Sequence, residues 1–167
     1  EIKNISKSFD GRPILKKIDM EIYPGEIVGL LGPNGSGKST LYSTIIGEHQ
    51  PDSGKILLKN NDLTEKPIHE RSKLGIGYLS QQRSVFAMSV FDNLMGICQL
   101  NIKGSEAQRK MVEKLLDEFN LQHLRNIHSG VLSGGEVRRL MIARLLITNP
   151  TVVLLDEPMA ALDPIVV

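Results

Sequence analysis

"GPNGSGKST", residues 32–40, decides how the rest of the chain is read. It fits the pattern G-x-x-x-x-G-K-[ST] at every fixed position. Gly32, Pro33, Asn34, Gly35, Ser36 and Gly37 form a loop whose backbone can wrap an anion, with its N–H groups turned inward. Lys38 reaches towards terminal phosphates, Ser39 offers a hydroxyl to Mg²⁺, and Thr40 continues into the helix that such a loop must open. The reading therefore requires a strand before the loop and a helix after it. "EIVGLL", residues 26–31, is a continuous apolar run, the pattern of a strand covered on both faces. A strand, a loop and a helix are thus expected in that order across residues 26–48.

On the N-terminal side, "KKIDMEIY" alternates Ile18, Met20 and Ile22 with polar neighbours, the period of a half-buried strand. On the C-terminal side, "GKILLKN" reads as a strand, "PIHERSKL" as a helix with Pro67 at its first position, and "GIGYL" as a return to extended chain. From Ser89 to Asn120 the pattern is helical. Ser105 is the expected cap of a segment whose Ala107, Met111, Val112, Leu115, Leu116 and Phe119 form one apolar stripe. "TVVLLDEP" is a second apolar strand, ending in two acids. The expected fold is α/β, with a mostly parallel sheet, an antiparallel β edge and a helical subdomain. Its parts are a first core segment (1–82), the helical subdomain (83–132) and a second core segment (133–167).

Composition narrows the function classes. Over 167 residues, 41% hydrophobic and 23% charged usage is that of a globular domain, and a net charge of +1 argues against a dedicated nucleic-acid surface. A single cysteine, Cys98, excludes an internal disulfide and fits a reducing cytoplasm, while one cysteine and four scattered histidines make no metal cluster. The greasiest run, "LMIARLLI", is short of a membrane span and carries Arg144. The chain begins at Glu1 without an initiator methionine and stops at Val167, so both ends are expected to lie inside a longer protein.

Two further stretches carry chemistry. In "VVLLDEP", Asp156 fits a carboxylate that helps to hold Mg²⁺, and Glu157 is placed to polarise an attacking water. In "VLSGGEVRRL", Ser133 is a good helix N-cap, yet Gly134 and Gly135 follow it in the first turn, where each glycine costs about 0.5–1 kcal/mol relative to alanine. A helix start stripped of side chains admits an anion to its free N–H groups. Gly35 and Gly135 stand 100 residues apart with a helical subdomain between them, so a second copy of the chain is the expected source of this second clamp.

The set "GPNGSGKST", "LSGGE", "VVLLDEP" and "ALD" resembles the nucleotide-binding subunits of ATP-binding cassette (ABC) transporters, a P-loop NTPase family, over essentially the whole chain. The resemblance implies that Phe9 in "KSFDG" stacks on adenine. It implies that Gln81 in "YLSQQ" touches Mg²⁺ and water, that Lys38 and Glu157 act in hydrolysis, and that Ser39, Gln81 and Asp156 serve the metal. Ser133, Gly134 and Gly135 match the signature residues, and Asp163 the acid that communicates across a dimer. The implied cofactors are ATP and Mg²⁺. The implied partners are a second copy and membrane-embedded subunits, with no nucleic acid and with membrane contact only through those subunits, at the cytoplasmic face of the inner membrane. A groove near Gln81 walled by Val85, Phe86 and Met88 would make that contact, with Phe86 either a coupling residue or a core one.

Family members carry a switch histidine beyond the stretch ending at Val167, so this chain is expected to bind MgATP and to turn it over slowly. "PIHERSKLGIGYLSQQRSVFAMSVFDNLM" with "EPMAALDPIVV" is similar to the ATPases of lipopolysaccharide export systems. ATPases of branched-chain amino-acid importers share part of this wording. Cassette ATPases that act on ribosomes or nucleic acid share every nucleotide motif, and a P-loop kinase would share Lys38.

Overall fold

A computed structural model describes residues 1–156, which divide into two compact units, 1–76 and from Gly77 onward. The first unit is built on an antiparallel sheet of β1 (Ile2–Phe9), β2 (Arg12–Met20), β3 (Ser53–Leu58) and the short β4 (Asn61–Asp62), in the order β2-β1-β3-β4. Asp10 and Gly11, both at positive φ, close β1 on β2 so that Phe9 faces Arg12, the two-residue turn that the twist of a hairpin favours. Lys59 and Asn60 close β3 on β4 in the same way. Helix α1 (Lys38–Ile46) and the short α2 (Ile68–Lys73) complete the unit. Ile2, Ile5, Leu15, Leu41, Ile45, Ile56 and Leu63 are among its buried apolar residues.

Pro67 stands at the N-cap of α2, just before the helix rather than as its first residue. The larger difference concerns residues 26–31. "EIVGLL" is irregular backbone, with Ile27 98% and Leu31 94% exposed, not a covered strand. A run buried on both faces needs ladder partners and a layer over each face, and among the described residues none pairs with it. The stretch before it is fixed locally instead: Tyr23 N–H donates to Glu26 (2.8 Å) and Glu26 N–H to the Tyr23 carbonyl (3.1 Å) around Pro24–Gly25.

The strand β5 (Ile76–Leu79) leads into the second unit and lies parallel to β6 (Val152–Leu155). Three helices form the body of the unit: α3 (Val90–Asn101), α4 (Ser105–Glu118) and α5 (Gly134–Ile147). Leu94, Cys98, Val112, Leu116, Leu121, Leu140 and Ala143 are among its core residues. Cys98 is one of these small apolar fillers, and burial pushes its thiol pKa up. The α4 stripe starts one turn later than its periodicity predicts, because Ala107 is exposed and Gln108 turns in to the Ile102 carbonyl at 2.8 Å. Gly104, not Ser105, holds the N-cap position of α4. On β6 only Leu154 is buried, while Val153 and Leu155 are about two-fifths exposed, so this strand too is less covered than an unbroken apolar run predicts. Among the described residues no helix is long and apolar enough to cross a membrane, and no cluster of His, Cys, Asp and Glu could hold a metal.

Candidate functional site

In the first unit the glycine loop runs into α1 without a side-chain cap. Gly37 holds the N-cap position at φ 94°, and no side chain bonds to the first-turn amides. Those amides and the positive end of the helix macrodipole are what a phosphate binds. Two contacts fix the loop sequence. A Cβ at Gly37 would lie 3.2 Å from both Ile14 and Leu15 of β2 in addition to its strained φ, and one at Gly32 would lie 2.8 Å from Ser36 Oγ. Ser36 N–H donates to the Pro33 carbonyl at 3.2 Å, which closes the turn through Asn34 and Gly35. Lys38 folds back over the loop, and its Nζ donates to the carbonyls of Gly32 (2.7 Å) and Pro33 (2.9 Å). The ammonium is therefore held where the loop curls. Ser39 is exposed in the first turn, and the Thr40 carbonyl accepts the Thr44 hydroxyl.

Phe9 ends β1 beside this loop. Lys7 pairs with Leu15 across the hairpin, and Leu15 is the residue that Gly37 abuts, so hairpin and loop share one contact region. The Phe9 ring is 38% exposed, as a stacking platform must be.

In the second unit Asp156 closes β6. Its N–H donates to the Leu79 carbonyl (3.0 Å), and its Oδ2 accepts the Tyr78 hydroxyl (3.3 Å). Gln81 follows two residues after the end of β5, and Ser80 Oγ donates to the Gln82 carbonyl at 3.0 Å. One side chain ties both strand ends to α5. The Arg138 guanidinium donates to the Ser80 carbonyl (2.7 Å) and the Asp156 carbonyl (3.2 Å), while its Nε is buried with no partner. Burial lowers its pKa, and the Asp156 charge opposes that shift. Arg83 makes a similar tie to the Leu132 carbonyl at 2.6 Å. Sequence reasoning missed both arginines. For Arg138 the available signal was a charge beside Val137 on a buried face of α5, since a buried cation is kept there only if it has acceptors, whereas exposed Arg83 carried no such signal.

Ser133 caps α5 through a reciprocal box. Glu136 N–H donates to Ser133 Oγ (3.4 Å), and Ser133 N–H donates back to Glu136 Oε2 (2.7 Å). The Ser133 hydroxyl and amide hold the Glu136 carboxyl below the usual carboxylate range. Gly134 and Gly135 are the first two helical residues, with Gly134 exposed, so their amides carry no side chain over them. Phe86 is 46% exposed rather than core, with the Arg144 guanidinium 4.3 Å from its ring centroid. Its backbone is pinned by the Asn93 side chain (2.8 and 3.0 Å) and by the Ser129 hydroxyl (2.6 Å). Glu157 and Asp163 lie outside the described residues.

The sequence profile of the ABC transporter family matches residues 15–160. The lipopolysaccharide export system ATP-binding protein LptB of Escherichia coli K12 is 44% identical over 165 residues, which is 98% of this chain and 68% of that protein. LptB of Haemophilus influenzae is 41% identical over the same shares. Among solved structures, cbiO1 of Clostridium perfringens, part of the ABC transporter complex cbiONQ, superposes with a TM-score of 0.87 at 34% identity, over 98% of this chain and 67% of that one. The ATP-binding cassette MJ0796, in a dimeric post-hydrolysis state bound to ADP and Pi, gives 0.84 at 31% identity, over 98% and 75%.

Proposed function

The chain belongs to the ABC transporter family, and on that premise we propose that it is the ATP-binding and ATP-hydrolysing subunit of a transporter that powers lipopolysaccharide export. The observation that carries the nucleotide reading is the uncapped start of α1 with Lys38 folded over the loop, a phosphate cradle assembled from backbone amides and one ammonium. The cargo reading is supported by relatives at 41–44% identity over 98% of the chain that bear the lipopolysaccharide export name.

In this reading Phe9 stacks on the adenine, residues 32–40 and Lys38 hold the β and γ phosphates, and Glu157 polarises the attacking water. Ser39, Gln81 and Asp156 each offer an oxygen donor, the set that suits Mg²⁺. When bound, Mg²⁺ supplies charge neutralisation on the β and γ phosphates. Arg138 keeps the backbone leading into Gln81 and the backbone of Asp156 at fixed spacing. Ser133, Gly134 and Gly135 of a second copy meet the γ-phosphate, and Asp163 links the two copies. Membrane-embedded subunits dock near Phe86, which places the protein at the cytoplasmic face of the inner membrane through those partners.

The test is equilibrium binding of MgATP, followed by calorimetry. Lys38→Ala should weaken it tenfold or more, because it removes the only charge that reaches the phosphates from the loop. Unchanged affinity would refute the cradle. Co-purification with lipopolysaccharide-export membrane subunits, rather than with those of an amino-acid importer, tests the cargo.

A further inference from the structure

Phe9 is not alone at the end of β1. Its ring meets the His49 imidazole edge to face, with centroids 5.1 Å apart and planes at 74°. The Lys7 ammonium lies 5.4 Å from the same ring centroid. His49 sits in the loop that leaves α1, and both ends of that loop are fixed. At the helix end, the N–H groups of Gly47, Glu48 and His49 all donate to the Ser43 carbonyl, at 3.2, 2.9 and 3.2 Å. At the sheet end, Asp52 accepts Lys7 Nζ (3.1 Å) and Ser8 N–H (2.7 Å), and its own N–H donates to the Ser6 carbonyl (2.8 Å). A continuous path of bonded structure thus runs from Lys38, along α1, to His49 and on to the Phe9 ring.

We propose that His49 is a positioning residue for the nucleobase: it fixes the tilt of the Phe9 ring, so that the hold on the base and the hold on the phosphates are set from the two ends of one helix. The proposal rests on the reading that the chain binds ATP with Phe9 against the adenine. A phenyl ring at a hairpin end that is 38% exposed has rotamer freedom to lose when a base stacks on it. An imidazole already in edge-to-face contact removes part of that freedom before the nucleotide arrives. Because His49 acts only through Phe9, its effect should appear for ligands that carry a base and vanish for those that do not.

The experiment compares MgATP with inorganic triphosphate plus Mg²⁺, by calorimetry, for the unmodified chain, Phe9→Ala, His49→Ala, His49→Phe and the Phe9→Ala/His49→Ala double variant. We expect His49→Ala to weaken ATP binding about two- to tenfold, the range of an aromatic edge contact, and to leave triphosphate binding unchanged. His49→Phe, which keeps a ring edge, should restore most of the loss, and the double variant should bind ATP no more weakly than Phe9→Ala alone. If Phe9→Ala leaves ATP affinity untouched, the base-stacking reading fails and the proposal with it. If Phe9→Ala weakens ATP but His49→Ala does not, only the role of His49 falls. Equal loss for both ligands in His49→Ala would mean that His49 supports the loop generally, and would also overturn the proposal.

Discussion

A single arginine shows how one residue holds the phosphate-binding helix in place. Arg71 is fully buried, and its guanidinium donates to the carbonyls of Thr44 (2.7 Å), Ile45 (2.8 Å), Thr64 (2.7 Å) and Lys66 (2.7 Å). Two of these are C-terminal carbonyls of α1, where a cation also meets the negative end of the helix macrodipole. The helix that presents Lys38 at one end is therefore anchored by Arg71 at the other. Arg71→Met should destabilise the chain by about 3 kcal/mol, since four backbone acceptors, those of Thr44 and Ile45 buried and those of Thr64 and Lys66 part-buried, lose their donor at once. Arg71→Lys should recover little, because one ammonium cannot span the four carbonyls. Urea unfolding reads both, and a loss within about 0.5 kcal/mol for Arg71→Met would show that water replaces the guanidinium without cost. Nothing in "PIHERSKL" announced this role, because the four acceptors are backbone carbonyls and carry no trace in the sequence. The loop glycines were legible for the opposite reason: at Gly32 and Gly37 the requirement falls on the residue itself, as a missing Cβ.

At the scale of elements, the local cap signal of α5 is kept by the structure, whereas the starts of α2 and α4 each fall one residue away from where Pro67 and Ser105 put them. The start of α5 at Gly134, capped by Ser133, follows from one hydroxyl, one carboxylate and their spacing of three. What depends on distant partners was not legible. "EIVGLL" has the composition of a covered strand, but a strand needs neighbours that its own residues cannot name, and among the described residues it has none. The late start of the α4 stripe and the half-exposed β6 have the same origin, since an apolar residue is buried only where something packs over it.

The α5 cap also fixes a sign for acid stability. Because the Glu136 carboxyl titrates below its ordinary value of about 4.3 in the folded chain, its contribution is complete above that value. It is lost as the pH falls through the lowered folded pKa. Melting temperature should therefore decline between about pH 4.5 and 3 more steeply in the unmodified chain than in Glu136→Gln. Ser133→Ala, which removes the other half of the box, should cost about 1 kcal/mol at neutral pH. Parallel pH profiles for the unmodified chain and Glu136→Gln would show that the box adds nothing.

The segment after Gln81 is a second element whose order exceeds what its loop-like sequence implies. Asn93 and Ser129 hold the Phe86 backbone while the ring stays 46% exposed against Arg144, a rigid apolar knob rather than part of the core. Phe86→Ala should leave MgATP affinity unchanged and weaken association with the membrane subunits, read by co-purification. Undiminished association would assign the docking surface elsewhere.

At the scale of the whole molecule, the two glycine-bearing helix starts belong to different compact units, α1 to residues 1–76 and α5 to the unit that begins at Gly77. Their occurrence at fixed motifs 100 residues apart is explained if ATP bridges two copies, the loop of one and the "LSGGE" of the other closing on the same γ-phosphate. A dimer held in this way should exist only while the triphosphate is intact. On the proposed reading Glu157→Gln would remove the base that polarises water while keeping the side chain's size, and should therefore accumulate an ATP-dependent dimer that light scattering detects. ADP should give none. Gly135→Asp in the same background should abolish the dimer while leaving MgATP bound to the monomer, because a carboxylate at the helix start repels the γ-phosphate and covers the amides that would receive it. A dimer that survives Gly135→Asp, or forms equally with ADP, would mean that the α5 glycines serve packing alone.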